Sequence, residues 1–407
     1  MVILPIVISE VNIAAMSVHF DDIADWLIAT NAEHGDLRTL TGKLVLRLWE
    51  AGVQVDRFNL GVFAVHPEMA GYAVLWEEGM DEAIEVDIRR EDTLTPLYLA
   101  SPIKLLVEHR KPMQFDLEDP EAGKKFPVIG EFRDKGFTHY IGFPIPYGDD
   151  GIAILTVCTK SPGGYLPQEI AGIEKLFPVL SLLISVVESR RLAKTVLRTY
   201  LGRNIGERVL AGEIMRGQGE TIQAALWLCD LRGFTSMTAD LGSLPMIDVM
   251  NQYFDCMAEA VWAEKGEILK FIGDAMLVVF RIGDENSTSE AANRAVRAAT
   301  DSLRRLRELS DSRVDKGLRP LRAGVAVHLG EVVYGNIGAS SRLDFTVMGE
   351  AVNLVSRIQH RMGDAGEDLL FTREVSEHLT GASELVGSYD LKGVRGPVEV
   401  FRSSSVR

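Results

Sequence analysis

Cysteine is scarce in this 407-residue chain, which holds three: Cys158, Cys229 and Cys256. None stands in a Cys-x-x-Cys spacing, and each falls inside an apolar strand or helix pattern. That excludes a disulfide scaffold and a thiolate metal site, and it points to reduced core thiols in a cytoplasmic protein. Positive charge is short as well. With 43 Lys and Arg against 58 Asp and Glu, the net charge is −15, so the clustered cations that bind nucleic acid or an anionic membrane are not expected. No apolar run reaches the ~20 residues of a membrane span, and the sequence predicts none. The opening Met1 to Ile8 is apolar but lacks the basic flank of a signal peptide and has Glu10 close behind. It reads as a short strand, or as an extension upstream of a start at Met16, leaving residues 1–20 as an N-terminal extension.

What is present is globular: 46% hydrophobic and 25% charged residues, in a length that predicts two folded units of roughly 150–200 residues. The second unit carries the informative stretches. In Leu228-Cys229-Asp230-Leu231-Arg232-Gly233-Phe234-Thr235 a short apolar run ends on a carboxylate and enters a glycine turn. A buried strand there delivers an acid to a loop whose backbone N–H groups can approach an anion. Taken alone, the same pattern describes an aspartate capping a turn. A second acid follows in Leu269-Lys270-Phe271-Ile272-Gly273-Asp274-Ala275-Met276, which reads as a β-hairpin with Asp274 at its tip. Two carboxylates on neighbouring strand ends would hold hard divalent cations such as Mg²⁺, with phosphate oxygens completing the octahedra.

A third block is Phe345-Thr346-Val347-Met348-Gly349-Glu350-Ala351-Val352-Asn353-Leu354-Val355-Ser356-Arg357. With it, the ordered set DLRGFT, LKFIGDAM, GVAVHLGEVVYGNIG, FTVMGEAVNLVSR and LKGVRGPVEVF, over about Gln223 to Phe401, resembles the catalytic domain of class III nucleotidyl cyclases. These enzymes convert ATP or GTP to a 3′,5′-cyclic nucleotide and pyrophosphate. The resemblance implies an α+β / α/β domain with a βαββαβ core over residues 223–407, working as a homodimer. It also implies two divalent metal ions (Mg²⁺ or Mn²⁺) on Asp230, Asp274 and the Leu231 carbonyl. The backbone around Gly233, Phe234 and Thr235 would cradle the triphosphate, and Lys392 would reach the terminal phosphates. Asn353 would orient the ribose, and Arg357 would contact the α-phosphate. The last two lie four residues apart, on one face of a helix predicted to start near Glu350. Lys270 as donor and Thr346 as acceptor match the base-reading positions and favour ATP. In a departure from some family members, which carry arginine after this His-x-Gly, Glu331 follows His328-Leu329-Gly330. An acid near triphosphate repels it, so Glu331 is expected to point away or Lys392 to take more of the neutralisation.

The first unit predicts two amphipathic helices between Asp21 and Ala51. A meander over Phe58–His66, Gly71–Trp76 and Ile84–Ile88 follows, then helices near Pro102–His109 and Ile129–Lys135, and a hairpin of Tyr140–Pro144 and Gly151–Thr159. Tyr140-Ile141-Gly142-Phe143-Pro144-Ile145-Pro146 resembles the corresponding stretch of GAF domains, which implies a GAF-like α/β sensor domain over residues 21–190; a PAS-like sensor is the alternative. The signal it takes, a small molecule or a protein, is not written in the sequence. His34, His66, His109 and His139 are too scattered to read as a metal or haem site. A helical linker spans residues 174–222, where Leu176, Leu180, Leu183, Val187, Leu192 and Val196 form a heptad-like stripe. That stripe suits a two-stranded coiled coil or a helix packed on its own domain.

The leading expectation is an adenylyl cyclase governed by its N-terminal domain. The others are a guanylyl or dual-specificity cyclase and a degenerate cyclase serving as a ligand-binding regulator. No Gly-Gly-acidic-Glu-Phe signature of a diguanylate cyclase is present.

Overall fold

The structure is a computed structural model describing residues 19–30, 36–63, 69–283 and 287–404. Met1, Met16, His34 and His66 lie outside the described residues. The chain divides into two units, one ending at Thr195 and the other beginning at Val196.

In the first unit, helices α1 (19–30) and α2 (Leu37–Glu50) precede an antiparallel meander of β1 (Arg57–Phe63), β2 (Met69–Glu77) and β3 (Ile84–Arg89). Asp36 caps α2, accepting from the Arg38 N–H. Short helix α3 (Pro96–Leu99) and helix α4 (Pro102–His109), both with proline in the first turn, lead to β4 (Met113–Asp116). Then come α5 (Pro127–Asp134) and the hairpin β5 (His139–Tyr147) and β6 (Gly151–Thr159), which closes at the Tyr147–Gly151 pair. The six strands run in the order β3-β2-β1-β6-β5-β4.

Helices cover both faces of this sheet, so β6 is buried along nearly its whole length. One core joins Phe20, Leu27, Leu44 and Leu48 to Phe58, Leu60 and Tyr72. On the opposite face Leu106 packs with Ile152 and Ile154, and Phe132 with Tyr140.

The stripe at 176–196 divides its residues between two environments. After α6 (Pro167–Lys175), helix α7 (Phe177–Leu201) buries Leu180, Leu183, Ile184 and Val187 in the first unit's core, while Leu192 and Val196 are exposed. For its first half the coiled-coil reading gives way to packing within the domain. Glu188 anchors it there, accepting from the Tyr72 hydroxyl at 2.6 Å, and Arg191 pairs with Glu85 at 2.8 Å. The stretch Pro167–Leu201 also contains an 18-residue window, mean hydropathy 1.9, that is long and apolar enough to cross a membrane by length and composition. It is not an unbroken apolar run, since Glu174 and Lys175 interrupt it and Leu176 separates α6 from α7. Only 39% of that window is buried, and its buried leucines belong to the core just described.

In the second unit the last residues of α7 are followed by α8 (Arg203–Leu210) and the 13-residue strand β7 (Gly219–Leu231), so residues 219–222 are strand rather than linker. Next are α9 (Phe234–Leu241), α10 (Ser243–Ala263), the hairpin β8 (Glu267–Ile272) and β9 (Ala275–Ile282), α11 (Thr288–Asp315) and β10 (Ala323–Ala339). This is a βαββαβ order. Strand β11 (Arg342–Met348), α12 (Glu350–Ala365), β12 (Leu369–Thr372), α13 (Arg373–Ser376), β13 (Ser383–Asp390) and β14 (Pro397–Ser403) complete the unit.

The sheet order is β13-β14-β12-β10-β7-β9-β8, with β11 on β10. Helices α10 and α11 cover one face through Met257, Val261, Ala295 and Ala299. Helix α12 covers the other through Val355, Ile358 and Met362, against Leu226, Leu277 and Phe345.

Candidate active site

Strand pairing brings the two aspartates together. Asp230 lies one residue from the end of β7, opposite Ala275 of β9, and Asp274 immediately precedes Ala275 in the two-residue turn Gly273-Asp274. Gly273 occupies the first turn position at φ +64°, a conformation that suits glycine. The carboxyls are close enough to share a hydrogen bond. Burial first, then that bond and the charge of Asp230, push Asp274 up to about 6. Among the described residues no group of three or more His, Cys, Asp and Glu side chains is placed to hold a metal. The protein's contribution at this point is therefore a pair of carboxylates beside the Leu231 backbone, a hard oxygen set that fits Mg²⁺ or Mn²⁺ and leaves positions for substrate oxygens.

The turn after Asp230 is shaped for an anion. Gly233 takes φ +74° at the N-cap of α9, and no side chain caps that helix. Its first N–H groups, including those of Phe234 and Thr235, are therefore left for a ligand or water. Arg232, the motif's own cation, is directed elsewhere: it pairs with Asp368 at 3.0 Å and donates to the Glu367 carbonyl. The cation beside Gly233 is Arg319, which donates to Ser236 Oγ at 3.0 Å and pairs with Asp240 at 2.9 Å. Sequence reading passed over Arg319 because it belongs to the loop before β10, outside every motif block. The only available signal was a basic residue beside Pro320.

Asn353 and Arg357 project from α12, Asn353 exposed and Arg357 partly buried. Nη1 of Arg357 is buried without a hydrogen-bond partner. An unpaired buried guanidinium N–H retains a donor that an oxygen could accept. The Lys392-Gly393 turn closes on it: a Cβ added at Gly393, which takes φ +74°, would stand 3.2 Å from that same nitrogen. Lys392 is exposed, so its backbone lies beside Arg357 while its ammonium reaches solvent. Neither Asn353 nor Arg357 shares a hydrogen bond or ion pair with Asp230 or Asp274 among the described residues.

Lys270 and Thr346 occupy the remaining places. Lys270 is partly buried on β8 and forms an ion pair with Asp344, while Thr346 is 9% exposed on β11. Glu331 hydrogen-bonds Gln223, its register partner on β7, at 3.2 Å. The cysteines are free. Burial pushes the thiols of Cys158 and Cys229 up to about 12, which makes them inert at neutral pH. His139 accepts from the Tyr165 N–H at 3.1 Å, an ordinary structural bond.

Comparison with known proteins gives this arrangement a family. Residues 219–402 match the family described as Adenylate and Guanylate cyclase catalytic domain. Among curated proteins, an adenylate cyclase of Anabaena cylindrica is 33% identical over 166 residues, 40% of this chain and 32% of its own length. Adenylate cyclase 1 of Rhizobium meliloti is 29% identical over 35% of this chain and 21% of its own length. The chain thus spans a third or less of these relatives. Among solved structures, the adenylyl cyclase CyaB from P. aeruginosa is 26% identical with a TM-score of 0.42, covering 47% of this chain and 97% of its own. The guanylyl cyclase Cya2 is 32% identical with a TM-score of 0.40, covering 46% and 95%.

Proposed function

Because residues 219–402 of this chain are a class III cyclase catalytic domain, we propose that the protein is an adenylyl cyclase. It would convert ATP to 3′,5′-cyclic AMP and pyrophosphate at sites shared by two copies of the chain, under control of a GAF-like sensor unit. The observation that carries this reading is the juxtaposition of Asp230 with Asp274 at the mouth of an uncapped helix N-terminus, a place for metal-bound phosphates. Two divalent cations on Asp230, Asp274 and the Leu231 carbonyl would supply activation of the ribose 3′-hydroxyl and neutralisation of the pyrophosphate leaving group.

The protein's own groups do the rest. Backbone N–H groups at Gly233, Phe234 and Thr235 hold the phosphates, and Lys392 meets their terminal oxygens. The Asn353 amide fixes the ribose so that its 3′-oxygen is in line with the α-phosphorus, and Arg357 receives the charge that gathers on the α-phosphate during attack. Lys270 donates to adenine N1, and the Thr346 hydroxyl accepts from the 6-amino group. Guanine presents an N–H at position 1, so a cation at Lys270 disfavours GTP.

Support for the sensor unit is the GAF-like Tyr140–Pro146 stretch on the second strand from the sheet's edge, together with the polar anchoring of α7, whose continuation enters the cyclase unit. The test is to incubate the protein with Mn²⁺ and either ATP or GTP and to identify the cyclic product. Cyclic AMP at a clear excess is expected, and Lys270→Glu should lower ATP turnover roughly ten- to a hundredfold. A wild type that prefers GTP contradicts the substrate reading. One that is inert with both contradicts the enzyme.

A further inference from the structure

Strand β8 contains an irregularity that decides where Lys270 points. Ile268 pairs with Val278 and Lys270 with Leu277, so Leu269 is an extra residue between consecutive partners. Val278 belongs to the core under α10 and α11, whereas Leu277 belongs to the core under α12. The bulge therefore turns Lys270 onto the same face as Leu277, the face under α12. Strand β11 comes into contact with β8 there, and the Lys270 ammonium meets the Asp344 carboxylate. Asp344 and Thr346 are alternate residues of β11 and share one side of the strand.

We propose that Asp344 is a positioning and specificity residue of the purine site, acting through Lys270. This rests on the reading that Lys270 meets adenine. An ammonium on a four-carbon stem is a mobile donor and discriminates poorly unless it is held. Asp344 takes one of its three N–H groups and fixes the other two, on the side of the strand that carries Thr346. A purine whose N1 accepts is then bound, and one whose N1 bears a hydrogen meets a fixed cation. The pair lies at the surface, with the Asp344 side chain 61% exposed, so it adds little to folding. Its removal isolates the functional effect.

The experiment measures steady-state cyclisation of ATP and of GTP by the full chain and by Asp344→Asn, Asp344→Ala and Asp344→Glu. The Asn and Ala variants should raise KM for ATP roughly three- to tenfold with kcat within about twofold, and cut the ATP-over-GTP ratio of kcat/KM roughly tenfold. Asp344→Glu should recover most of both. In a Lys270→Ala background Asp344→Asn should change nothing further, since the two act as one unit. If wild type prefers ATP while Asn and Ala leave KM and the ratio within about twofold of it, this inference is overturned and the substrate reading stands. Loss of kcat alone, with the ratio intact, overturns it equally, as a structural effect. A wild type that prefers GTP overturns both.

Discussion

Asp274 is the residue at which the proposed chemistry and the stability of the unit conflict. Its carboxyl sits about 6 rather than at the 3.8 of a free side chain, because burial and Asp230 disfavour its charge. Between those values the folded protein binds more protons than the unfolded chain. Metal-free stability should therefore fall as pH rises through about 4 to 6 and stay low above. Thermal unfolding of the cyclase unit in a chelator checks this: Asp274→Asn should flatten the decline. Mn²⁺ should raise the transition in wild type, more so above pH 6, and not in the variant. At Arg357 the expectation concerns rate. Arg357→Ala should lower kcat roughly 10²- to 10³-fold. Arg357→Lys should restore little, because a point charge does not reproduce a planar fork whose buried Nη1 has no protein partner. Steady-state kinetics on folded variants measures both.

At the scale of elements, much was legible where a period and a punctuation mark agree. Gly151–Thr159 was readable from the apolar run after a Gly-Asp-Asp turn, and Asp274 at a hairpin tip from Ile-Gly-Asp-Ala between apolar runs. The helix carrying Asn353 and Arg357 begins at Glu350, as its spacing suggested. What was not legible depends on partners distant in sequence. The bulge at Leu269 leaves no compositional trace, so the face taken by Lys270 and its pairing with Asp344 required the register. Glycines at 330, 335 and 338 of β10 let its backbone pack closely against Ala351 of α12, the start of β7 and β11 respectively, contacts that composition does not reveal. The α7 stripe left two readings open, because a helical period states that a face is apolar and not what covers it; its first half packs within the domain. Packing within the domain makes a prediction here. Leu183→Ala should destabilise the first unit by about 2–5 kcal/mol in denaturant unfolding. Leu192→Ala, on the exposed continuation, should change it by no more than about 0.5 kcal/mol.

At the scale of the whole molecule, the proposal is that each site is shared by two copies of the chain. Asp230 and Asp274 form one group, Arg357 with the Lys392-Gly393 turn forms another, and no described bond links the two. In the proposed closed two-fold dimer each group would meet its complement on the other copy, giving two equivalent sites. Removing residues up to about Arg190 should then leave a cyclase whose activity per chain rises with protein concentration, because the remaining surface must assemble alone. The most direct measurement mixes two inactive variants, Asp274→Ala and Arg357→Ala, after chain exchange has been demonstrated with a label. Random pairing makes about half the dimers mixed, each with one doubly defective site and one intact site, so about a quarter of wild-type activity should return. A mixture as inactive as its parents would contradict the shared site and place the whole reaction within a single chain.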